Sequence, residues 1–155
     1  MRHIFLVTVI AALTLLGCGR ESAIKTDGTQ TDTLYYVIFE GNPSIIADEQ
    51  LMRGDLELGR VLSVTAPDLK VTVVQIGIQP GNEIWIRDNV SFYRYNNQLH
   101  YAELSEKGKM LKENAKILGF TGKAQFYWFK TKAPVNEVVK IAQIKAEKLY
   151  RKAAL

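Results

Sequence analysis

Gly54-Asp55-Leu56-Glu57-Leu58-Gly59-Arg60-Val61-Leu62-Ser63-Val64 is the stretch whose reading decides the fold. Leu56 and Leu58 alternate with polar neighbours. Gly59 interrupts the alternation, and Val61, Leu62 and Val64 resume it. Alternation with period two marks half-buried strands, and a glycine between two such pieces predicts two short strands joined at a sharp turn. None of these side chains suits chemistry, so the run is read as an architectural hinge in a small all-β domain.

The flanking sequence carries the same signature. Leu34 to Phe39 is aromatic and β-branched, as expected of a buried strand, and Gly41-Asn42-Pro43 ends it. Ile45 and Ile46 precede Asp48-Glu49 in a loop, and Leu51 to Arg53 reads as a short strand. Past Pro67-Asp68, Lys70 to Ile78 is a further β-rich run, closed by Pro80-Gly81-Asn82, and Glu83 to Ile86 follows in alternation. Val90–Tyr95 and Gln98–Leu104 flank Asn96-Asn97. Asparagine tolerates positive φ, so a two-residue hairpin is expected there, with Tyr93 opposite His100 and Arg94 opposite Leu99. Six or seven short strands at this spacing predict a compact barrel or sandwich.

The chain of 155 residues begins with Arg2 and an apolar segment from Ile4 to Leu16, interrupted only by Thr8 and Thr14. Such a segment is short for a membrane span and suits an export signal. It ends in Leu15-Leu16-Gly17-Cys18, which resembles a bacterial lipobox. The resemblance implies that residues 1–17 are a signal peptide and that Cys18 becomes the lipidated N-terminus. Several acyl chains on one residue would hold the protein firmly, whereas a single chain binds marginally. Cys18 is the only cysteine, which excludes a disulfide framework and a thiolate metal site. Residues 19–33 are mostly polar and form a tether that reaches roughly 50 Å when extended. The expected location is the bacterial envelope, lipid-anchored and facing the periplasm, with the inner or outer membrane left open.

The net charge of +4 hides a division. From Cys18 to Leu104 there are 7 Lys/Arg against 12 Asp/Glu; from Ser105 to Leu155 there are 12 against 4. An acidic domain (34–104) is thus followed by a basic extension (105–155). The extension either meets something anionic, such as phospholipid head groups or an acidic partner, or carries lysines on solvated helix faces. Nucleic acid is not expected as a partner of an exported protein.

In order, Val37-Ile38-Phe39, Gly54 through Leu58-Gly59-Arg60-Val61, Val71-Thr72-Val73, Ile86-Arg87-Asp88 and Tyr101-Ala102-Glu103-Leu104 resemble the mammalian-cell-entry (MCE) domain over residues 34–104. The resemblance implies a seven-stranded barrel that assembles into homohexameric, or mixed, rings around a central pore. It further implies a substrate-binding role beside an ABC permease and ATPase, for phospholipid or another hydrophobic molecule. By the same resemblance the hairpin tip at Asn96, Asn97, Gln98 and Leu99 would be the pore loop or ligand contact. The sequence departs from the family there: a Leu-Leu-Gly stretch is replaced by polar residues. It also departs at Gly54-Asp55, where the spacing to Gly59 is longer, and in having a lipidated cysteine in place of a transmembrane anchor. An adaptor lipoprotein, docking another envelope complex without carrying lipid, is the alternative function.

In the extension, Ser105 to Lys116 has helical composition, and Ala124 to Phe129 reads as a strand or an interfacial segment. Pro134 suits the first turn of a second helix, with Val135, Val138, Val139, Ala142, Lys145, Leu149 and Ala153 on one face. These elements could bundle on a ring axis, dock on a membrane, or pack back onto the barrel. No catalytic constellation is present in the sequence. His100 is the only histidine outside the leader and is expected to be structural, paired with Tyr93. Asp48-Glu49 and Asp55/Glu57 are expected to be solvated, and Trp85 and Trp128 to be core or interfacial anchors. No metal, cofactor or enzymatic activity is expected.

Overall fold

The computed structural model describes residues 31–67 and 69–154; the leader, Cys18 and the tether to residue 30 lie outside them. The chain is mainly β, a closed seven-stranded barrel followed by two helices. The strands are β1 (Thr33–Glu40), β2 (Gln50–Arg53), β3 (Leu56–Thr65), β4 (Val71–Ile78), β5 (Val90–Tyr95), β6 (Gln98–Glu103) and β7 (Lys116–Phe120). They close in the order β1-β4-β3-β2-β6-β5-β7. Most neighbours are antiparallel, but β1–β7, β2–β6 and β5–β7 are parallel. Closure gives every strand a paired neighbour on each side, which limits the usual route to edge-to-edge aggregation.

The stretch from Gly54 to Val64 contains one strand, not two. β3 runs unbroken through Gly59, and Gly54 is the residue at positive φ (+60°), in the turn from β2. The broken alternation has another cause. The register with β2 slips where Leu51 faces Gly59 and Met52 faces Glu57, so Leu58 is an extra residue. A second slip against β4 makes Leu62 extra, between the pairs Val61–Ile76 and Ser63–Gln75. Each bulge inverts the phase of the side chains, so Leu58, Gly59, Val61 and Val64 all serve the interior despite their uneven spacing. Bulges also bend a strand and increase its twist, which a small barrel needs in order to close. Gly59 is required for a different reason: a Cβ there would lie 2.0 Å from the Gly77 carbonyl oxygen on β4.

The barrel interior is packed. Tyr35, Val37 and Phe39 of β1 meet Val74, Ile76 and Ile78 of β4, with Leu51, Leu58, Phe92 and Leu99 filling the rest. The alternate residues of β1 and β7 point outward and are covered as well. Ile38, Leu118 and Phe120 pack under Phe126 of helix α1 (Lys123–Lys132) and under Val138, Ala142, Ala146 and Leu149 of helix α2 (Val138–Ala153). Burial on both faces explains why Leu34 to Phe39 is continuously apolar where a half-exposed strand would alternate. Lys145 of α2 also binds Glu40 of β1 at 2.6 Å, and this hydrogen bond holds the Glu40 carboxyl below its usual range. The folded unit, Thr33 to Ala153, thus contains both of its cores.

Three further expectations are corrected. Glu83 to Ile86 is no strand: Glu83–Trp85 forms a single 3-10 turn. Ser105 to Lys116 does not form a helix, because its lysines and glutamates have helical propensity but supply no apolar stripe to bury. It is an extended loop held by Leu111 N–H donating to Ile86 O (3.0 Å), Asn89 Nδ2 donating to Ser105 O (2.6 Å) and a bridge between Arg87 and Met110. Its end supplies β7, so the barrel closes beyond Leu104. Ala124 to Phe129 is helical, within α1, and that helix buries only Phe126 fully.

Candidate functional site

The β5–β6 hairpin has the expected register, with Tyr93 opposite His100 and Arg94 opposite Leu99. Asn96 and Asn97 both take positive φ (49° and 58°), the geometry that a tight two-residue hairpin turn demands. The two asparagines are exposed. Gln98 is half-buried, and its Nε2 donates to Gln50 Oε1 at 3.3 Å. Leu99 parts from the other three. It is fully buried in the barrel interior, since alternation along β6 turns it inward. The tip therefore presents Asn96, Asn97 and Gln98, an amide-only surface, and Leu99 anchors it from inside.

A buried ion pair sets the direction of this hairpin. Arg94 Nη2 lies 3.0 Å from Glu49 Oε1, and Arg94 Nη1 donates to the carbonyls of Pro43 (2.8 Å) and Ser44. Glu49 is thus not solvated as expected but 8% exposed, and it also accepts from Ile46 N–H at 3.0 Å. These bonds tie β5 to the β1–β2 loop, so the tip projects from a braced base. Sequence reading missed the pair because its members are 45 positions apart and each looks like an ordinary surface charge.

Behind the hairpin, His100 stacks on Tyr93 (centroids 5.7 Å apart) and meets the edge of Tyr95 (5.8 Å). Tyr93 in turn stacks on Phe126 at 5.6 Å, which joins the hairpin to α1. The Nε2 of His100 is buried without a partner, which suits a ring used for packing. Along β6 lies a groove lined in part by Arg53, Tyr101, Glu103, Tyr127 and Lys130. Arg53 is held over the Trp85 ring at 3.8 Å and near the Tyr101 ring at 5.4 Å. The Tyr101 hydroxyl donates to Glu103 Oε1 at 2.6 Å; burial first, and then this bond, raise its pKa above the ordinary phenol value. Tyr101 is a neutral donor at physiological pH. Trp85 is thereby a stacking anchor inside the fold, whereas Trp128 stands 59% exposed.

Among the described residues, no group of three or more His, Cys, Asp or Glu could hold a metal ion, and no helix is long and apolar enough to cross a membrane. No family model matches the chain, and no curated protein matches it.

Proposed function

We propose that this chain is a non-catalytic envelope lipoprotein of the MCE type, a ring-forming component of a system that moves phospholipid or another hydrophobic solute. The observation that carries the reading is the closed seven-stranded barrel with a braced, outward hairpin between β5 and β6. Four of the five segments with MCE resemblance fall on elements that build it, β1, the β2–β3 hairpin, β4 and β6; the fifth, Ile86-Arg87-Asp88, lies in the connection before β5. An ABC permease and ATPase are the partners this reading calls for, with Cys18 carrying the anchor. Because the barrel interior is filled by side chains, a lipid route would run between subunits, along a ring axis, and not through one barrel.

The amide tip favours a second reading. A passage for acyl chains is best lined by apolar groups, and the leucine of this tip is turned into the core. An adaptor lipoprotein that docks another complex needs no such lining. Replacing Asn96 and Asn97 together by aspartate separates the two. Both sites are exposed, so stability should change by no more than about 0.5 kcal/mol each. If the tips converge on a lipid route, the two added charges per subunit should sharply reduce the phospholipid that copurifies with the full-length protein, read by mass spectrometry. Unchanged lipid content with unchanged melting would contradict an axial route past this hairpin.

A further inference from the structure

We infer that the outward surface of the two C-terminal helices is a docking face for an anionic phospholipid membrane. α1 packs on β5 and β7 and α2 on β7, β1 and β4, both on the outside of the barrel, and their inward residues are used up in the second core. On α1, Trp128 (59% exposed) lies away from Phe126 and Phe129, and Tyr127 (51% exposed), whose ring meets Phe126 edge-on at 5.2 Å, stands beside it at the border with the groove along β6. Two lysines flank this pair: Lys132 lies over the Trp128 ring at 4.6 Å, and Lys123 stands 6.0 Å from the Tyr127 ring. On α2 the residues opposite Ala142, Ala146 and Leu149 include Lys140, Ile144, Lys148 and Arg151, all exposed. Val135, between the helices, is exposed at 81%.

This combination matches a membrane interface better than it matches water. Tryptophan and tyrosine partition to the head-group level, and lysine and arginine reach phosphates with their charged ends while their stems lie on apolar surface. Residues 121–154 hold eight Lys/Arg against two Asp/Glu. One of those two acids, Glu147, lies on the outward face and is already engaged by Lys116 at 3.9 Å. Lys123, Lys132, Lys140, Lys148, Arg151 and Lys152 form no ion pair among the described residues. The excess charge is therefore available to an anionic surface, and an interfacial site joins aromatic rings and basic side chains in this way. The expected acyl anchor at Cys18 would already hold this face within a tether's length of a bilayer.

The test uses residues 19–155, which contain the whole folded unit and lack the acyl chains that would otherwise dominate partitioning. The probe is phosphatidylcholine vesicles with and without about a third phosphatidylglycerol, followed by co-sedimentation and by Trp128 fluorescence. Binding is expected only with the anionic lipid and should fade at roughly 1 M salt. Changing Lys132, Lys140, Lys148 and Arg151 together to glutamine should weaken it at least about a hundredfold, and Trp128→Ala should weaken it with unchanged melting. All five positions are exposed, so the fold should survive both variants. Absence of binding to the anionic vesicles, or equal binding to the zwitterionic ones, overturns the inference and leaves the basic face to an acidic protein. Neither outcome bears on whether the chain forms a ring.

Discussion

Gly59→Val should destabilise the protein by about 3 kcal/mol or more, the largest effect expected of any single substitution on β3. The reason is backbone contact. The nearest atom to a Cβ at this position would be the Gly77 carbonyl oxygen at 2.0 Å, followed by its carbonyl carbon at 2.9 Å. A flexible side chain could swing away, but these atoms belong to the β4 backbone. To admit even a methyl group, β3 and β4 must separate where Gly59 pairs with Ile78 and Arg60 with Gly77. In a closed barrel that displacement cannot be confined to one edge. Urea unfolding followed by circular dichroism measures the effect. A loss below about 1 kcal/mol would show that the two strands are not in close contact at this point.

Arg94→Met should cost about 3–5 kcal/mol, because it leaves the Glu49 carboxylate buried without its cation. The side chains of Glu49 and Arg94 are 6% and 15% exposed, and Glu49 Oε2 already lacks a partner. Removing both charges, as Arg94→Met with Glu49→Leu, should recover a large part of that loss, since the cost of a broken pair lies chiefly in the orphaned charge. Strict additivity of the two single changes would show that the groups are not coupled. The consequence for function is direct. Without Arg94 the bonds to Pro43 and Ser44 also disappear, and the Asn96-Asn97 tip loses its brace to the β1–β2 loop.

How far the sequence could be read depended on whether the deciding interaction was local. The β5–β6 hairpin was legible to the residue pair, because Asn96-Asn97 states its own turn chemistry. β1 was legible because six consecutive apolar or aromatic residues leave few alternatives. β3 was misread as two strands, since a bulge and a strand break produce the same interruption of period two. Only the partners, Leu51 opposite Gly59 and Ile76 opposite Val61, distinguish them. β7 was missed because it is five residues long and follows a lysine-rich loop. The signal that could have found it is the apolar pair Ile117-Leu118 with Phe120, three residues after Asn114, a residue at positive φ (63°). At the hairpin tip, Asn96, Asn97 and Gln98 lie together at the surface. Leu99 does not, because the inward phase of β6 is set by β5 and not by the tip. The Arg53–Trp85–Tyr101 stack joins residues from three separate segments, which no spacing rule could unite.

The measurement that bears most directly on the proposed ring is the native mass of residues 19–155 by light scattering. A ring-forming MCE-type protein should give a mass near six subunits, and that species should retain the melting behaviour of a single cooperative fold. A clean monomer would contradict the homomeric ring, and the adaptor reading would then describe the protein better.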